Sequence, residues 1–480
     1  MRNFKKLSKT LLVATALTGV MATTAILPGG ADFVGSVASA QDFPLASPER
    51  AAAAAAANKA RPKLKSTKGM TERPAKKLAK VQEFMNSEPP NYPEAMALLK
   101  GQNLEKLNTT EKASFYQLMA AVAQNQGNMD EALSNYKNIL AMDSISNAQR
   151  DQMTFIVGQI EFSNGNLDTA LNYFNEWFKY QEVPSMTNIV MLANVHYAAG
   201  LEDGVAPAEA EKHFRQSVEF LNWAITKAKA EGKEDKENWY AVLRALHNNL
   251  EEMDKVLYYA ELLTSRWPKK AYWTQLSGLY AQAASEEGLT EEEALALEKK
   301  QLAAYEIVLR QGELENGREL ETMAQLYLYH ESPYQSSKVL TESIDGGLSE
   351  KNKRNLELQA TAFINGKDMA KAVEPLTAAA NMADDGNLFM RLANVYLNLD
   401  EYDKAASAIS KALDKGGLRR PDQSSLLQGQ AYLALEDFDA ARKSFRAAAK
   451  DERSEKMARN MLKYVDSEEK RIKAIREYLS

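Results

Sequence analysis

Side chains that could carry covalent or metal chemistry are scarce in this sequence. None of the 480 residues is a cysteine, which removes thiol nucleophiles, thiolate zinc sites, iron–sulfur clusters and disulfides together. The four histidines stand at positions 196, 213, 247 and 330. The sequence holds no GxSxG, no GxxxxGK followed by Ser or Thr, no HExxH and no GxGxxG, so neither an enzyme nor a bound metal or cofactor is expected. His196 and His247 fall where Tyr396 and Tyr432 fall in a recurring pattern described below, so packing inside helical hairpins is expected of them rather than metal binding.

Recognition chemistry is better represented. Trp239, Tyr240, Tyr258, Tyr259, Trp267, Tyr272, Trp273 and Tyr280 lie close together in the chain. Trp273, Leu276, Ser277 and Tyr280 match repeat core positions, whereas Trp239, Trp267 and Tyr272 sit off them. Those three are the expected partner-binding residues, because large amphipathic rings anchor protein interfaces. Asn194 and Asn394 stand where a carboxylate clamp would place an asparagine, but Val190 and Met390 replace the lysine it needs, which argues against a chaperone C-terminus as ligand.

The elements that position these residues are helices. At 480 residues the chain exceeds the roughly 250 to 300 at which a single core stops growing. Its 45% hydrophobic and 26% charged composition is that of a folded chain. From about residue 75 apolar positions recur at helical spacing, and a small-and-large pattern repeats. Ala393, Tyr396, Tyr402, Ala405, Ile409 and Ala412 return as Gly429, Tyr432, Phe438, Ala441, Phe445 and Ala448. Related sets occur at Ala360 to Ala379, at Gly158 to Trp177 and at Ala120 to Tyr136. The period is that of tetratricopeptide repeats. An all-α solenoid of about ten helical hairpins is expected over 75–452, with irregular hairpins at Glu202 to Lys229 and Ala284 to Leu309, where Glu291, Glu292 and Glu293 are expected to expand a turn. Residues 453–480 are expected to form a charged capping helix, since stacked repeats expose an apolar face at each end.

The N-terminus reads as an address. Arg2, Lys5, Lys6 and Lys9 precede an apolar run, and Ala38-Ser39-Ala40 supplies a cleavage site, so residues 1–40 are expected to be a secretory signal peptide and the mature chain to start at Gln41 in the bacterial periplasm. An uncleaved anchor is the competing reading. The formal charge is −6, and it is unevenly placed, with +8 between Ser47 and Val81 against −16 after it. Residues 41–74, with alanines at 51 to 57, are expected to be a disordered basic tether.

Lys236 to Tyr240, Pro268 to Leu276, Ala324 to Tyr327, Lys411 to Leu418 with its Gly416-Gly417 turn, and Ala441 to Phe445 are strings that resemble one family of periplasmic tetratricopeptide proteins described as components of TonB systems. The resemblance covers roughly 75 to 470 and has no catalytic residues to transfer. It implies a scaffold that assists TonB, ExbB and ExbD in energised uptake across the outer membrane. The alternative is a periplasmic adaptor for envelope biogenesis or peptidoglycan synthesis, and a carbohydrate-active enzyme ranks last, since it would need paired carboxylates in a cleft.

Overall fold

The computed structural model describes residues 44–62 and 68–479. The expected signal peptide, its cleavage site and Gln41 lie outside the described residues. Among those residues there are twenty-two α-helices and no strand, and no helix is long and apolar enough to cross a membrane. The chain divides into two compact units, 1–263 and 264–480.

In the first unit, α1 (Pro48–Ala60) precedes α2 (Glu72–Met85), α3 (Tyr92–Lys100), α4 (Thr109–Asn125), α5 (Met129–Leu140), α6 (Asn147–Ser163), α7 (Leu167–Phe178), α8 (Met186–Gly200), α9 (Pro207–Ala230) and α10 (Glu237–Asn249). Helix α11 (Met253–Arg266) runs through the boundary. The second unit continues with α12 (Lys270–Ala284), α13 (Glu291–Arg310), α14 (Gly317–Tyr329), α15 (Pro333–Asp345), α16 (Lys353–Asn365), α17 (Met369–Met382), α18 (Asn387–Asn398), α19 (Tyr402–Lys415), α20 (Pro421–Ala434), α21 (Phe438–Ala448) and α22 (Glu452–Leu479). Successive helices pair, α4 with α5 and α6 with α7 in the first unit, α18 with α19 and α20 with α21 in the second. The fold is the expected all-α array of helical hairpins.

Local sequence accounts for the hairpins. One turn recurs at Gly127, Gly165, Glu251, Glu331, Lys367, Asp400 and Glu436, each with positive φ. The residue after each sends its N–H back to the carbonyl five positions earlier, as from Asn128 to Ala123 and from Asp437 to Tyr432. This left-handed cap ends the first helix and delivers the chain into the second within three residues. Prolines open α1, α9, α15 and α20, where a missing N–H costs no helical bond.

The small residues of the repeat sit at the helix crossings. Ala393, Ala405, Ala412, Ala441 and Ala448 are fully buried. A Cβ on Gly429 would lie 2.6 Å from the Phe445 ring, and one on Gly158 would lie 3.1 Å from Phe174. Both pairs are therefore close approaches that a larger residue would force apart.

The two irregular hairpins are present, with one correction. Helix α9 is lengthened to 24 residues, as expected. Glu291, Glu292 and Glu293, however, form the first turn of α13, and the widened turn lies before them at 285–290. Thr290 caps that turn and Glu293 reaches back to the Thr290 backbone, while three acids suit the positive end of a helix dipole.

Helix α22 closes the second unit. It buries Ala458 and Val465 beside Phe445 and Ala448, with Met461 and Leu462 half-buried in the same cluster. Ser454 donates to buried Asp422 at 2.6 Å, and Arg442 pairs with Asp466 and Glu469 on α22.

Candidate partner-binding site

The stretch expected to be a tether is instead a docked helix from residue 48 to 60. Alanine has the highest helix propensity, so a run of seven needs only an initiating cap. Ser47 supplies it by accepting the Arg50 N–H at 3.2 Å, with Pro48 as first helical residue. Arg50, Ala54 and Asn58 recur at i, i+4 and i+8 on one face of α1, and Arg61, the residue that caps its C-terminus, follows at i+11.

That face meets α6, the end of α7 and α9. The Arg50 guanidinium donates to the carbonyls of Gln181 and Glu182, each at 2.7 Å, and the Asn58 amide donates to Tyr180 O at 2.9 Å. These carbonyls follow the C-terminus of α7, where helix carbonyls run out of partners and the dipole is negative, so a cation is favoured there. Arg50 also lies 4.7 Å from the ring centre of Phe178 and 5.3 Å from that of Trp223. Burial lowers its pKa, and its Nε is buried without a partner. At the other end Arg61 holds Asp151 with two bonds, at 3.0 and 2.5 Å, and lies 3.3 Å over the Tyr180 ring.

Beneath Arg50 the rings form a continuous series. Phe155 packs against Phe174 at 5.2 Å and Trp177 at 4.7 Å, and Trp177 meets Phe178 at 6.4 Å. Phe178 meets Phe220 at 5.6 Å and Trp223 at 6.1 Å, and Phe220 stacks on His196 at 5.7 Å. His196 in turn places its Nδ1 2.9 Å from that of His213. Burial, followed by the charge of His213, drives the His196 pKa down to about 3, so the ring is neutral inside its hairpin. His247 is likewise buried, stacked on Tyr259 and bonded to Glu252. Among the described residues no group of three His, Cys, Asp or Glu side chains is placed to hold a metal ion.

The three residues expected to bind a partner do not share one environment. Trp239 is only 4% exposed and belongs to the first unit. It lies on the buried stripe of α10 with Tyr240, Leu243, Leu246 and His247, so its ring fills the core and offers no anchor. Trp267, between α11 and α12, and Tyr272, in the first turn of α12, are half-buried in the second unit. Arg266 lies 4.7 Å from the Trp267 ring and the Lys269 amine 5.9 Å from that of Tyr272. Trp273, read as core, packs with Tyr305, Val308 and Met323.

Local aromatic density pointed away from the Phe155 to Trp223 series, because its rings are spaced along the chain and meet only across helices. The readable signal was the i, i+4, i+8, i+11 spacing along an alanine-rich helix.

Comparisons with known proteins follow the repeat pattern. No curated protein matches the chain. Three solved structures similar to it are the APC/C hetero-tetramer Cut9–Hcn1 (11% identity, 82% of this chain and 90% of that one, TM-score 0.25), the TPR2AB domain of yeast Sti1 in a pHSP90 complex (15%, 60% and 98%, TM-score 0.31), and a tetratricopeptide repeat protein from Parabacteroides merdae (14%, 67% and 99%, TM-score 0.22). The tetratricopeptide repeat family model matches residues 118–184, from within α4 through α7, and 390–455, from within α18 into the first turn of α22. The residues similar to tetratricopeptide repeats, 118–184 and 390–455, thus form one stretch in each compact unit.

Proposed function

We propose that this chain is a non-catalytic scaffold of the bacterial periplasm that assists the TonB–ExbB–ExbD machinery in energised uptake across the outer membrane. The observation that supports a scaffold is the tandem array of helical hairpins with tetratricopeptide repeats in both units. Such arrays generally present extended surfaces to protein partners rather than perform chemistry. The narrower assignment rests on the resembling strings, which fall at the openings of α10 and α12, within α14, at the Gly416-Gly417 turn and within α21. With Trp239 in the core, the anchors proposed in the second unit are Trp267 and Tyr272. A proline-rich, basic periplasmic segment suits them, because it is already extended and the net −16 carried by the residues after Val81 attracts it.

The test is energised uptake and crosslinking to TonB-complex proteins in cells carrying Trp267→Ala and Tyr272→Ala chains, after circular dichroism has shown both folded. Loss of a central anchor commonly costs about 2 kcal/mol, roughly thirtyfold in affinity. Unchanged crosslinking removes the anchor assignment, and normal uptake after deletion of the whole gene removes the TonB role.

A further inference from the structure

One helix of the first unit, α1, and one of the second, α22, flank the hairpins of their units, and the two are held very differently. Helix α22 inserts apolar side chains into a core cluster with Phe445. Helix α1 has one buried residue, Ala54, and a buried methyl contributes little. Its grip comes from Arg50, Asn58 and Arg61. One of these is strained electrostatically, since Arg50 is half-buried against carbonyls and rings, with its Nε unpartnered. A desolvated guanidinium offsets part of its own attraction. The face beneath, in contrast, is built without α1: its rings hold one another, and its carbonyls are fixed by the end of α7.

We propose that this face, made by Asp151, Phe178, the carbonyls of 180–182 and Trp223, is a docking site for an arginine-bearing helix on a partner protein, and that α1 is its built-in, exchangeable occupant. The partner's chemistry is that of α1 itself: a helix with Arg, a small residue, Asn and Arg at i, i+4, i+8 and i+11. The first arginine answers the carbonyls and the Phe178 and Trp223 rings, and the last answers Asp151 and Tyr180. The spacing is a specificity device, because 11 residues make about three turns and return both cations to one side. Covalent attachment keeps α1 at high effective concentration, so these few polar contacts suffice until a competing helix arrives. This inference rests on reading the chain as a partner-binding scaffold, and it deepens that reading without depending on TonB.

The experiment uses the full chain carrying Arg50→Ala and Arg61→Ala, which frees the face, and a fluorescent peptide of residues 44–62. Anisotropy should show the peptide binding the double variant about tenfold or more tighter than the wild-type chain, where α1 competes. An unrelated alanine-rich helix with the four residues grafted at the same spacing should bind comparably, and the peptide lacking both arginines should not. No binding to the double variant, or equal binding of the arginine-free peptide, overturns the proposal. Hydrogen exchange on the wild-type chain is an independent arm needing no variant: α1 amides should exchange well before those of α4, and equal protection would make α1 a permanent cap. Failure here leaves the uptake experiment untouched, and loss of the TonB role leaves the docking face standing.

Discussion

Arg61 and Asp151, ninety positions apart in the chain, meet through two hydrogen bonds at 3.0 and 2.5 Å. The arginine side chain is nearly buried and the carboxylate is 22% exposed. This pair ties the C-terminal end of α1 to α6. Asp151→Ala should loosen that end by about 1 to 3 kcal/mol, since it leaves a desolvated cation without its acceptor. The check is hydrogen exchange, with faster amides near 55–60 and little change in the helices of the second unit.

The recurring hairpin turn makes a second prediction. Lys367 holds φ of 62°, a conformation that strains a side chain and suits glycine. Lys367 is exposed, so replacing it removes no packing. Lys367→Gly should stabilise the second unit by about 0.5 to 1 kcal/mol, read as a raised melting temperature. A lowered melting temperature would mean that the lysine side chain matters more than its backbone.

Crossing positions should respond in the opposite direction. Ala405 and Ala441 are fully buried where paired helices approach. Ala405→Leu or Ala441→Leu should lower the melting temperature by an overpacking cost of about 1 to 3 kcal/mol. An unchanged transition would show the crossing to be looser than these contacts indicate.

Acid should weaken the first unit through His196. Its folded pKa of about 3 lies below the unfolded histidine value, so the unfolded chain binds the proton more readily. The resulting stability is therefore fully present above about pH 6.5 and declines as pH falls toward about 3. The slope approaches about 1.4 kcal/mol per pH unit once the pH is about one unit or more below 6.5. His196→Gln removes this titration, and the difference between the two melting profiles from pH 7 to 4 should show that slope. Parallel profiles would place the wild-type proton uptake elsewhere.

Much of the fold was legible in the sequence because its information is local. Helical periodicity marked the hairpins, Gly127 and Gly165 marked two of the turns, and the matched alanines marked crossings, since each feature depends on residues within one repeat. The acidic run at 291–293 was misplaced for a reason that is also local: three like charges suggest a loop until Thr290 is seen to cap them. What the sequence by itself determined, then, was the helices and their order. Tertiary structure alone decided which side chains face outward. Trp239 is buried where its spacing suggested an exposed ring, and the alanine run, without an apolar face, carried only the polar spacing of Arg50, Asn58 and Arg61 as a sign of docking. Arg50 finds its carbonyl partners 131 and 132 positions away, in a loop whose acceptors exist only because α7 ends there. Such acceptors are backbone atoms, which carry no residue identity, so no pattern of side chains could have announced them.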